Sequence, residues 1–405
     1  MPDRFAAWKA SAQIFLLSRL LILCVTCTCI LVLPGLIPGY LTFVGTDSST
    51  YQMLPSQPLN VLLFSWLHWD AKAYLNISYL GYHYLSDTGF FPLWPLVQHM
   101  GGILLGGSFP VSYYLAGLLL ANLFFYFDLV MLYHLIAKEY GTVIARRVLF
   151  YFSFSPCALF FFAGYSESLF VLLTLGMFLC LQRGRSQDWW LAGLCGLLAT
   201  LTRSAGLILA LPFLAVSLQR FWWVSRTGQC NWPQTVRASM PVVLIPAGLV
   251  IYMIYLYVVA HDTLLFFHEE NTVWHRSPTF PLLTIWLALQ SFPRETLFVL
   301  QVENFLNLTA SLFPFALLLR GWRSLPLHYI LFATGIALFA LSFPTIIAQN
   351  EPLLSLPRYM MILFPITLLL ARWGKNPRFD AIYRFLTLLA FVCGVALFVS
   401  NVWVA

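Results

Sequence analysis

Apolar runs of membrane length dominate the chain, with short polar stretches between them. The runs are 12–34, 111–137, 148–162, 166–181, 189–201, 207–218, 240–260, 302–319, 326–346, 360–370 and 385–404. A bilayer core of about 30 Å takes a helix of roughly 20 residues, so the pattern predicts an all-α polytopic membrane protein with about eleven transmembrane helices. The first run follows Arg4 and Lys9, as a signal anchor would, and no small-residue cleavage motif follows it, so it is expected to be retained. The stretch 35–107 mixes Asp47, Asp70, Lys72 and Asp87 with apolar segments too broken to span. It reads as a long first outside loop with juxtamembrane helices. Within it, 90–107 carries Pro92, Pro95 and two Gly-Gly pairs, which suit a half-buried or re-entrant helix. Neither an internal repeat nor a linker separates parts of 1–405, so a single membrane domain is expected.

Composition agrees. The chain is 60% hydrophobic and 9% charged, against about 25% charged in soluble domains. A soluble enzyme and a disulfide scaffold are excluded. The formal net charge of +7 is a topology signal, and no nucleic-acid partner is expected from it. With the N-terminus inside, all but five of the 22 basic residues fall on the inner side. The exceptions are Lys72, Arg203, Arg276, Arg294 and Arg358. Acidic residues gather outside, as the positive-inside rule allows. Arg19 and Asp128 lie inside apolar runs at similar expected depth, and charges in a bilayer are usually paired or face a cavity; a direct pair is one arrangement, and side chains turned to different helix neighbours the other.

The outside face concentrates the unusual chemistry. One loop carries His68-Trp69-Asp70-Ala71 and, further on, Gly89-Phe90-Phe91-Pro92-Leu93-Trp94-Pro95. The next carries Gly164-Tyr165-Ser166-Glu167, a third Thr202-Arg203-Ser204-Ala205-Gly206, and a fourth Pro357-Arg358-Tyr359. A carboxylate can take a proton from a hydroxyl nucleophile. Arginine forks hold phosphate and neutralise a departing anion. Aromatic rings stack on sugars, though at a membrane surface they also form anchoring belts. Glycosyl transfer from a lipid phosphate needs this combination. Two readings stand for Glu167, catalytic or a complement to a helix N-terminus, and two for His68, a base or a hydrogen-bonded loop residue. The cysteines lie mostly in apolar runs and lack the polar surroundings of a metal site.

The order HWDA, GFFPLWPL, SPCALFFFAGYSESLF and TRSAGL, over roughly residues 65–207, resembles the PIG-V family of mannosyltransferases. The resemblance implies the GT-C fold, a polyprenyl- or dolichyl-phosphate-mannose donor, a glycolipid or lipid-linked acceptor, and a site facing the periplasm or lumen. By that likeness Asp70 takes the place of the family's first-loop acid, Glu167 its Glu in GYSE and Arg203 its Arg in TRS. The chain departs from animal members at Ala205 and in its compactness, which suggests a prokaryotic member in a plasma membrane, with the endoplasmic reticulum as the eukaryotic counterpart.

The expected activity is therefore an inverting mannosyl transfer needing neither metal nor cofactor. Asp70 is the expected general base and Glu167 its helper. His68, Trp69, Tyr165, Arg203, Arg358 and Tyr359 are expected to bind substrate, the arginines at the phosphate. A transporter or lipid flippase is the alternative, though such proteins place ionisable groups near the midplane and often show repeats; a non-catalytic subunit is a third reading. The topology has a direct test. Single cysteines at Ser86 and Gln187, in an otherwise cysteine-free chain, should react with an impermeant thiol reagent from opposite sides of the membrane, and labelling from one side alone would discard the arrangement.

Overall fold

The structure, a computed structural model, describes residues 4–36, 62–226, 239–292, 298–345 and 352–404. Asp47 and Arg294 lie outside the described residues. The described residues form helices and turns without a strand. In chain order the helices are α1 (Arg4–Leu36), α2 (Asp70–Leu80), α3 (Leu93–Leu104), α4 (Val111–Tyr140), α5 (Thr142–Ser153), α6 (Glu167–Arg183), α7 (Ser186–Thr202) and α8 (Ala210–Arg226). They continue with α9 (Leu244–Ala260), α10 (Leu265–Thr272), α11 (Pro281–Ser291), α12 (Phe298–Gly321), α13 (Leu327–Leu341), α14 (Leu356–Met361), α15 (Phe364–Trp373) and α16 (Pro377–Val399).

The all-α architecture is as expected, but the count of eleven spans is not reproduced. Among the described residues six helical stretches are long and apolar enough to cross a membrane: Phe5–Gly35, Val111–Tyr140, Ser204–Trp222, Met240–Ala260, Gln301–Ser324 and Pro377–Val399. The helices at the other expected spans fall short of that length. The run 148–162 is one case: α5 stops at Ser153, before Ser155-Pro156, because the residue preceding a proline disfavours helix. A 3-10 turn, Ala158–Phe161, follows. The run 326–346 yields only the 15 residues of α13, about 22 Å at 1.5 Å per residue. Helices α6 and α7, at 17 residues each, sit at the lower limit for a span of about 17. Helix α3 has 12 residues and is too short to cross, in keeping with a re-entrant segment.

The chain divides into two compact units. The first comprises Met1–Gly81, Trp94–Ser168 and Leu370–Val404. Here α1 packs on α4, α5 and α16. Lipid tails are as apolar as leucine, so helices in a bilayer associate through close packing and polar contacts. Rings supply the packing: Phe125 of α4 lies 4.6 Å from Phe161, and Phe15 of α1 lies 5.5 Å from Tyr126. Polar contacts gather at Asp380 of α16, which accepts from Arg147 Nε at 3.2 Å, Tyr151 OH at 2.6 Å and Arg384 Nε at 3.1 Å. Asn376 caps α16 by accepting from the amide of Arg378, with Pro377 in the first turn.

Arg19 and Asp128 both face the interior of this unit, at 7% and 0% exposure. Of the two arrangements open to them, the direct pair does not form. Neither Asp128 oxygen has a hydrogen-bond partner, because the Arg19 guanidinium turns instead to the carbonyl of Phe161, at 3.2 Å from Nη2.

The second unit comprises Tyr82–Leu93 and Leu169–Leu369. Its most extensive helix pair is α7 with α9. Small residues allow it: a Cβ on Gly193 would lie 2.4 Å from the carbonyl oxygen of Pro241, and one on Gly248 would lie 2.5 Å from that of Leu197. This is the close backbone approach that glycine permits between membrane helices. Tyr252 of α9 donates to the carbonyl of Thr88 at 2.8 Å, tying the turn Leu85–Gly89 to the same pair. Gly248→Val should force α7 and α9 apart and cost about 1–3 kcal/mol, as overpacking does. Tryptophan fluorescence during thermal unfolding in detergent should show a lower midpoint, and an unchanged midpoint would mean that the contact yields freely.

Candidate active site

Asp70 is the first residue of α2, and the backbone places it there under strain. The preceding Trp69 has φ of 45°, which is uncommon for a bulky side chain and costs on the order of 1–3 kcal/mol. Such strain persists only where the surroundings over-determine it. The Trp69 ring lies 5.1 Å from Phe398 and 5.0 Å from Trp403, so the end of α16 and the chain beyond it hold the indole. The amides of Ala71 and Lys72 close back on the carbonyls of His68 and Trp69 at 3.1 and 3.0 Å. Asp70 itself is half-buried, and His68 is buried at 6% exposure.

Glu167 opens α6 at the end of an irregular segment. Tyr165, Ser166, Glu167 and Ser168 are all 0% exposed. Gly164, with φ of 77°, supplies the left-handed turn that swings the chain into the helix. Its carbonyl accepts from Trp94 Nε1 of α3 at 3.1 Å.

Two hydrogen bonds join these segments. Tyr165 donates to the carbonyl of His68 at 3.2 Å, and Tyr74 of α2 donates to Ser166 Oγ at 2.9 Å. Tyr74 is one helical turn beyond Asp70, on the same face of α2. The residues flanking both carboxylates are thus bonded to one another, although they stand nearly 100 positions apart. Four of the expected site residues, His68, Trp69, Asp70 and Tyr165, meet here with Glu167. Tyr165 and His68 serve this contact through a hydroxyl and a backbone carbonyl, and the His68 ring packs 5.9 Å from Phe398.

Arg203, Arg358 and Tyr359 lie in the second unit. Arg203 ends α7 in extended conformation, with φ of −155°. The chain then folds back so tightly that a Cβ on Gly206 would sit 2.5 Å from the Thr200 backbone. This explains the glycine in TRSAGL. The Arg203 guanidinium stands 4.7 Å from the centre of the Tyr359 ring, a cation–π contact. Arg358, in α14, is buried at 5% exposure. Tyr359 is therefore a platform for Arg203, next in sequence to a second arginine. Among the described residues no three His, Cys, Asp or Glu side chains gather as metal ligands do.

Sequence reasoning missed Tyr74, Trp94 and Ser166 as the groups that wire the carboxylate segments. Trp94 stood within GFFPLWPL, and the spacing of four from Asp70 marked Tyr74. Nothing local signalled Phe398 or Trp403.

A family model described as mannosyltransferase (PIG-V) matches residues 12–289, well over half the chain. The chain belongs to the PIG-V mannosyltransferase family. Both carboxylates and Arg203 fall within the matched region, whereas Arg358 and Tyr359 lie beyond it. Among similar proteins is the GPI alpha-1,6-mannosyltransferase 2 of Cricetulus griseus, 37% identical over 150 residues, 35% of this chain and 29% of that one. The protein of the same name from Mus musculus is 33% identical over 204 residues, 46% of this chain and 40% of that one. The matched stretch is thus less than half the length of either relative. Among solved structures, an Archaeoglobus fulgidus oligosaccharyltransferase aligns over 77% of this chain and 44% of its own, at 13% identity and a TM-score of 0.38, too slight a similarity to bear on the fold.

Proposed function

We propose that this PIG-V family member is a multi-pass membrane mannosyltransferase of GT-C type. It moves mannose from a polyprenyl- or dolichyl-phosphate-mannose donor to a hydroxyl of a glycolipid or lipid-linked acceptor, at the outer or lumenal side of the membrane. The observation that carries this reading is the hydrogen-bonded junction of the Asp70 and Glu167 segments in a chain of this family. It sets two carboxylates in neighbouring segments, with Asp70 half-buried and Glu167 fully buried.

The acceptor oxygen attacks the anomeric carbon from the face opposite the phosphate. The C1–O bond to the lipid phosphate breaks, the phosphate leaves with the bonding pair, and configuration inverts. A sugar hydroxyl is a very weak acid, so its proton must leave as the new bond forms. Asp70, the more accessible carboxylate, takes that proton. Glu167 orients the acceptor or assists Asp70. Arg203, steadied on Tyr359, and Arg358 bind the phosphate as it gains charge. His68, Trp69 and Tyr165 shape the acceptor side. The work falls to side chains, without a metal or organic cofactor. Family membership favours transfer over transport, and the second unit's arginines suit a phosphate better than a passing solute.

The test is a paired measurement of transfer and donor binding on purified variants. Asp70→Asn keeps shape and hydrogen bonding but cannot accept the proton. It should lose at least ~100-fold in turnover, within the usual range of general-base help, with donor binding kept. Glu167→Gln should lose less. Near wild-type transfer by Asp70→Asn would move the base assignment to Glu167 or His68.

A further inference from the structure

Arg19 is a charge in the middle of an apolar helix, and a bilayer tolerates such a group only where it is paired or serves a function. A direct ion pair with Asp128 is the simplest way to satisfy both charges, and the protein does not use it. Arg19 Nη2 instead donates to the Phe161 carbonyl at 3.2 Å, and Nη1 reaches only Ser18 Oγ at 3.5 Å. The guanidinium lies among rings, its carbon 4.4 Å from the centre of Phe125, 5.0 Å from Phe15 and 5.8 Å from Phe162. Asp128 follows Phe125 by three residues on α4, so it lies on the same face. It supplies the countercharge without a direct bond and leaves the guanidinium donor for the carbonyl.

That carbonyl belongs to the segment that delivers Glu167. Phe161 ends the 3-10 turn Ala158–Phe161, and its oxygen also accepts from Ser168 Oγ at 3.4 Å. Ser168 is the residue after Glu167. One oxygen therefore joins α1 to the first turn of α6. Its neighbours are held in the same manner. Asn122 of α4 donates to the Phe162 carbonyl at 3.4 Å, and Trp94 of α3 donates to that of Gly164 at 3.1 Å. Irregular backbone buried away from water must have its polar groups satisfied by side chains. Here three helices each contribute one donor to the segment leading to Glu167, and Arg19 is the charged one.

We propose that Arg19, with Asp128 as its countercharge, is a positioning residue for Glu167, acting through the Phe161 carbonyl and Ser168. The proposal rests on the reading of Glu167 as a site residue. It predicts that the buried pair sets turnover while contributing little to substrate binding. Arg19 touches neither substrate nor reacting atoms in this account.

The informative variant is the double substitution Arg19→Met with Asp128→Leu. It removes both charges together, so no uncompensated buried charge is left to unfold the protein. Arg19→Lys, which keeps the charge and a donor but loses the fork, serves as the conservative companion. Transfer kinetics, thermal midpoint and hydrogen exchange of residues 161–168 are measured on both, with Glu167→Gln alongside. The double variant should keep its thermal midpoint and its KM for the donor, lose roughly 10- to 100-fold in kcat, the scale of a small misplacement of a reacting group, and exchange faster over 161–168. Arg19→Lys should recover part of the kcat. A folded double variant with wild-type kcat, beside an impaired Glu167→Gln, would overturn the proposal. If Glu167→Gln itself transfers normally, the site assignment fails instead. The brace is then judged on exchange alone: faster exchange over 161–168 supports it and unchanged exchange refutes it.

Discussion

Backbone carbonyls that leave regular helix inside an apolar environment must find donors, and this requirement shapes the segment from Phe154 to Ser166. A polyproline or loop conformation in water would leave such groups to solvent. Here the segment is mostly buried, and beside its own turn bonds three of its carbonyls accept from side chains of other helices: that of Phe161 from Arg19, that of Phe162 from Asn122 and that of Gly164 from Trp94. An unpaired buried polar group costs about 1–3 kcal/mol, so these bonds favour one path for the segment. They fix where α6 begins and hence where the Glu167 carboxylate stands.

The same logic explains why the two carboxylate segments meet. Tyr165 and Tyr74 carry hydroxyls into a dry interior, and a buried hydroxyl needs a partner. The partners available are the His68 carbonyl and Ser166 Oγ. Satisfying them brings the N-terminal end of α2 to the N-terminal end of α6. The strained Trp69 and its aromatic cover of Phe398 and Trp403 then hold the α2 end in one conformation. In the second unit Tyr359 does for Arg203 what these bonds do for Asp70, restraining a long side chain by contact with a rigid ring.

Much of this was legible in the sequence. Composition and apolar runs established the all-α membrane class. The motifs around Asp70, Glu167 and Arg203 marked the family, because carboxylates and arginines are rare in so apolar a chain. The remainder was illegible for physical reasons. Hydropathy registers apolar length but not continuity, so 148–162 looked like a span although Pro156 breaks it into a helix and a 3-10 turn. Similar depth left a direct Arg19–Asp128 pair open, but depth says nothing about a carbonyl on a third segment that competes for the guanidinium. The Tyr359 platform joins residues more than 150 positions apart, and no local pattern encodes such a contact.

The central claim is that Asp70 and Glu167 act as one catalytic unit, and a double-mutant cycle tests it most directly. Transfer rates of Asp70→Asn, Glu167→Gln and the double variant are compared under saturating donor and acceptor. Groups that act together are non-additive, so the double variant should be only slightly slower than Asp70→Asn alone. Losses that multiply independently would contradict the account.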